Sequence, residues 1–186
     1  MQNYNMVSIA EWLNPTRITG LIAYLLSFMS CAMGWLSGGE APSRQRLAAV
    51  LTAMEAAFFL DIVFSGRLLL HDLLQSQAIE ARTYELRSIP QLAALGVMGG
   101  AAAVGIGLVL RRFRDRAGAS LALVGVILSW SCWCAEVISL HQVDAALYYN
   151  IHGIMIVGVV WAACSLMTSV GILWDLLAVR AGPSSA

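Results

Sequence analysis

Long apolar runs alternate along the chain with short segments that hold most of its charge. A bilayer core of roughly 30 Å needs about 20 predominantly apolar residues of helix to cross it. Five runs meet that requirement: 18–36, 47–74, 92–110, 119–140 and 146–177. In lipid every backbone polar group must be satisfied internally, so such runs are helices. The pattern predicts an all-α, polytopic integral membrane bundle, with residues 1–186 as one membrane domain. The fifth run is long enough to tilt or to protrude.

Composition strengthens this reading. Hydrophobic residues make up 59% of the 186 and charged residues only 12%, against about 25% charged in a soluble domain. The mean hydropathy is +0.74. All eleven cations are arginine, matched by eleven carboxylates. A balanced charge argues against nucleic acid as a partner, and the lipid bilayer is the partner that the apolar runs imply.

The first run is preceded by MQNYNMVSIAEWLNPT, has only Arg17 beside it and lacks a small-x-small cleavage site, so it reads as a retained helix rather than a secretory signal. The segment IAEWL before Pro15 fits an interfacial position with Trp12 as anchor. Arg44 and Arg46 follow the first run, Arg111, Arg112, Arg114 and Arg116 follow the third, and Arg180 ends the fifth. By the positive-inside rule these segments are cytoplasmic. The expectation is an N-terminus outside and a C-terminus inside a bacterial cytoplasmic membrane. Arg82 and Arg87, opposed by Glu80 and Glu85, pull against it.

The third run, LAALGVMGGAAAVGIGLVL, carries Gly96, Gly99, Gly100, Gly105 and Gly107. Small faces permit close helix approach, which places this run at the centre of the bundle or at a seam with another copy or a larger complex.

The candidate chemistry lies in FFLDIVFSGRLLLHD, residues 58–72, an apolar stretch with four ionisable groups. At about 100° per residue Asp61 and Asp72 share one stripe, and Arg67 and His71 a neighbouring one. In a continuous helix over 47–74, Asp61 is near mid-membrane, Arg67 about 9 Å further out, and Glu55 deeper on a third face. Charge inside a membrane is costly and marks function or pairing. Glu55, Asp61 and Arg67 therefore form a candidate buried ion-pair set.

Glu136 and His141 bring further polar groups to the same outer half. Where the fifth run begins, Asp144, Tyr148 and His152 recur every four residues, which on a helix is one face. All three histidines then reach the outer half on different helices. Three readings follow.

In the leading one the ionisable cluster fixes helix register in a non-enzymatic membrane component or complex subunit. In the second, His71, His141 and His152 with Glu136 hold a transition metal or a haem for redox or hydrolytic chemistry. The third is proton- or ion-coupled transport, disfavoured by the few spans and absent repeats. Tyr84 and Arg87 are candidates for an outer lid, against the plainer reading of a solvated amphipathic turn.

Other chemistry is poorly supported. Cys132 and Cys134 point about 200° apart on a helix and cannot share one metal, and all four cysteines read as packing residues. No serine sits in a glycine elbow, and phosphate-binding loops are absent.

Overall fold

The computed structural model describes residues 14–37, 42–80 and 87–180. Within them are α1 (Pro15–Ser37), α2 (Pro42–Phe64), α3 (Gly66–Glu80), α4 (Ser88–Arg112), α5 (Ala117–Ile138), α6 (His141–Leu147), β1 (Asn150–Ile151), β2 (Ile154–Met155) and α7 (Ile156–Arg180). The fold is all-α apart from the two-residue strands. Five helices, α1, α2, α4, α5 and α7, are long and apolar enough to cross a membrane. The Trp12 segment lies outside the described residues.

Pro15 and Pro42 open α1 and α2, where the missing N–H costs nothing and the fixed φ suits the first turn. Asn14 caps α1 by accepting the Thr16 N–H at 2.9 Å. Pro90 likewise sits in the first turn of α4.

Two expected helices are interrupted. The run over 47–74 breaks at Ser65, whose φ of 56° leaves the right-handed helical region, and α3 restarts at Gly66. The Asp61 carboxylate accepts the Arg67 N–H at 2.8 Å, satisfying a donor at the start of α3 that no helical carbonyl reaches. The break moves Asp61 from mid-helix to the last turn of α2.

The fifth run is shortened too. α6 ends before Tyr148, and residues 150–155 form a hairpin pairing Asn150 with Met155 and Ile151 with Ile154. His152 (φ 53°) and Gly153 (φ 93°) make its turn, the left-handed pair that a tight hairpin requires. Asn150 Oδ1 accepts the Gly153 N–H at 2.7 Å. Asp144, Tyr148 and His152 therefore do not share a helical face.

The core is a bundle of α1, α2, α5 and α7, with α1 packed on α2 and α7, and α7 on α5. Phe58 of α2 stacks 5.3 Å from Tyr24 of α1 and 5.8 Å from Trp130 of α5, closing the ring. The tightest seam joins α5 to α7. A Cβ at Gly118 would stand 2.6 Å from the Gly171 carbonyl oxygen, and one at Gly171 would collide with the Ala122 backbone nitrogen.

The third run does not lie at the centre. α4 packs mainly on α5 and has no buried residue. A Cβ at Gly96, Gly99, Gly100 or Gly107 would meet nothing within 4 Å. The close approach that small residues permit is used by Gly118 and Gly171 instead, where the facing helix supplies backbone rather than side chains.

Candidate functional site

The break at Ser65 places Arg67 in the first turn of α3, where its side chain reaches Asp61 of α2 and Glu136 of α5. Its guanidinium lies 3.1 Å from Asp61 Oδ2 and 2.9 Å from Glu136 Oε2. One face covers the Trp161 ring, 4.2 Å from its centroid, a cation–π distance. The Trp161 Nε1–H donates to Glu136 Oε1 at 3.0 Å, and the Cys132 thiol approaches the same oxygen at 3.7 Å. Glu136 is 4% exposed, and its burial is matched by a charge and a ring N–H. Four helices meet here: Asp61 from α2, Arg67 from α3, Glu136 from α5 and Trp161 from α7.

Arg17 of α1 adjoins this group, donating to the carbonyls of Ile62 and Val63 at 2.9 and 2.7 Å. These carbonyls lie in the last turn of α2, where no helical N–H follows. Tyr148 stands over the cluster from the loop side. Burial, and then the Glu136 carboxylate, push its phenol up to about 12.

At the opposite end of the bundle, Arg116 forks onto Asp175, with Nε 3.2 Å from Oδ1 and Nη2 2.6 Å from Oδ2. Arg44 adds a contact at 3.9 Å. The bundle interior is thus tied by charge at both ends.

Glu55 stands apart from both ties. It is 0% exposed and six residues from Asp61 along α2, and its carboxylate has only the Ser27 and Thr168 hydroxyls within reach, neither in good hydrogen-bond geometry. Glu136, and not Glu55, faces Arg67 alongside Asp61.

The histidines do not converge. His71 is half-buried with Nδ1 3.2 Å from the Val137 carbonyl. It lines a cavity of about 350 Å³ with Gln75, Arg87, Gln91 and Ile138. His141, exposed, borders a neighbouring hollow with Arg87, Ser139 and Asp144. His152 is exposed in the hairpin turn and Asp72 is exposed on α3. Among the described residues no group of three or more His, Cys, Asp or Glu side chains is placed to hold a metal ion. Glu136 is committed to Arg67 and Trp161. Arg87 does border the outer cavities, while Tyr84 lies outside the described residues.

Sequence reasoning overlooked Trp161 and the buried hydroxyls Ser27, Ser129, Ser165 and Thr168. A signal for the hydroxyls was present, since each interrupts an apolar run near its middle. Comparison with protein-family models, curated proteins and solved structures finds no match.

Proposed function

We propose that this chain is a non-enzymatic, multi-pass component of a bacterial cytoplasmic membrane, with its N-terminus outside and its C-terminus in the cytoplasm. Five apolar helices of spanning length support insertion. The gathering of Arg44, Arg46, Arg111, Arg112, Arg114, Arg116 and Arg180 at one end supports the orientation. The single observation that carries the functional reading is the closure of the Arg67 cluster. The guanidinium is held by two carboxylates and a ring face, and Glu136 by a ring N–H besides. Groups so occupied are suited to setting helix register and offer little to a substrate.

The test is to replace the charges singly and together. Arg67→Met should destabilise the fold, and neutralising Asp61 and Glu136 in the same chain should restore it. An Arg67→Met protein that keeps wild-type stability but loses its role in the cell would overturn the structural reading.

A further inference from the structure

Glu55, Ser27, Ser129 and Thr168 come from α2, α1, α5 and α7, and each lies within one turn of the midpoint of its helix. Ser165 is one turn from Thr168. All five side chains are buried, none more than 1% exposed. Both oxygens of Glu55 and the hydroxyls of Ser27, Ser129 and Ser165 make no hydrogen bond of good geometry, although Ser129 stands within reach of Tyr24 and Cys164. The Thr168 hydroxyl donates to the Cys164 carbonyl at 3.2 Å, which leaves its lone pairs free. Ser27 and Thr168 are the hydroxyls within hydrogen-bonding reach of the Glu55 carboxylate, so what the carboxylate lacks is a balancing charge.

Buried polar atoms are ordinarily paired, and a buried carboxylate without a partner takes up a proton or a cation rather than stand alone. Five of these atoms, all oxygen, lie at one mid-bundle level, and unlike Glu136, which has the Arg67 guanidinium at 2.9 Å, Glu55 has no cation beside it. Hard cations select oxygen ligands, and soft or imidazole-seeking metals do not. Among the described residues no ion pair involves Glu55, and Asp61 lies about 9 Å along the axis at 1.5 Å per residue. The titratable groups nearest Glu55 are Tyr24 and Cys31 of α1 and Cys164 of α7. α5 adds Cys132 beside Tyr24, and none of these supplies a positive charge.

We infer that Glu55, with the hydroxyls of Ser27, Ser129, Ser165 and Thr168, forms an occluded site for a hard monovalent cation, sodium or a proton, at the centre of the bundle. This site is independent of the Arg67 cluster and of the role assigned to it.

The experiment uses the full chain in detergent micelles. Thermal unfolding is followed in sodium chloride and in choline chloride of equal ionic strength over a range of pH, with infrared detection of protonated carboxyl groups. If sodium is the occupant, it raises the wild-type midpoint as a ligand of the folded state, and Glu55→Gln abolishes the rise. If the proton is the occupant, the wild type shows a protonated carboxyl stretch that Glu55→Gln removes and alkali titrates away. Ser129→Ala should shift the effective sodium concentration or the midpoint of that titration, and serves as the second variant should Glu55→Gln fail to fold. A wild type indifferent to sodium and lacking a protonated carboxyl stretch overturns the proposal.

Discussion

Arg67→Met is the sharpest perturbation available, because it removes one cation from between two carboxylates with little loss of volume. Each contact, at about 3 Å and an effective dielectric near 20, carries a gross attraction of about 5 kcal/mol. Desolvation of the three groups offsets much of it. What remains measurable is the cost of leaving Glu136, whose side chain is 1% exposed, without its cation. Breaking such a pair from one side costs about 3–5 kcal/mol, and loss of the Trp161 face adds about 1 kcal/mol.

Glu136→Gln should cost less, since Arg67 keeps Asp61 and a Gln oxygen still accepts from Trp161. The triple variant Asp61→Asn, Arg67→Met, Glu136→Gln should recover to within about 2 kcal/mol of wild type, because a buried ion set replaced by neutral groups is often close to neutral. The assay is equilibrium unfolding in mixed micelles, followed by tryptophan fluorescence and helical circular dichroism. The reasoning fails if Arg67→Met costs under about 1 kcal/mol, or if the triple variant is no more stable than Arg67→Met, since either result denies the coupling that contact predicts.

Further outcomes are expected. Gly171→Ala and Gly118→Ala should each destabilise the fold by about 1–3 kcal/mol through overpacking, whereas Gly99→Ala, with nothing within 4 Å of the added Cβ, should be neutral or slightly stabilising; thermal midpoints compare them. In a chain with its four cysteines replaced, Ser43→Cys and Asp115→Cys should resist an impermeant maleimide applied to intact cells, while Gln142→Cys should react. Ultraviolet titration of wild type against Tyr148→Phe should place the Tyr148 phenolate at about 12. With the folded value above the unfolded value of about 10, this group's contribution is present in full below pH 10 and is lost as pH rises toward 12.

The five helices long and apolar enough to cross a membrane were legible in the apolar runs, because a bilayer-length run of this composition has few alternatives. What escaped was local. SG at 65–66 and HG at 152–153 interrupt apolar periodicity with left-handed backbone, and each shifted the depth or face of ionisable groups on one side of it. With 47–74 read as one helix, Asp61 belonged at mid-membrane and Glu55 below it. The break puts Asp61 near the end of its helix, places Arg67 within reach of Glu136 and leaves Glu55 at the centre. The glycines of α4 misled for a related reason: small residues permit close packing but do not say which helix supplies the partner. Trp161 offered no signal by spacing, since its role depends on Arg67 and Glu136 arriving from two other helices.

The central position of Glu55 changes how the charged ends of the bundle should be understood. Arg67 with Asp61 and Glu136 ties the end where α2 and α5 finish, and Arg116 with Asp175 ties the end where α5 begins. At the second end Gly118 and Gly171 also draw the α5–α7 seam together, and between the ends the aromatic chain of Tyr24, Phe58 and Trp130 holds α1, α2 and α5. A bundle clamped in this way can tolerate a costly group at its middle, because local opening there would have to break a packed or paired end first. The same clamps would slow exchange of anything bound at Glu55. Weakening the Arg116–Asp175 tie should therefore speed loss of the Glu55 occupant more than it lowers affinity. Arg116→Met, compared with wild type in the rate at which the sodium or proton response decays after a jump, separates the two, and equal rates would show that the ends do not guard the centre.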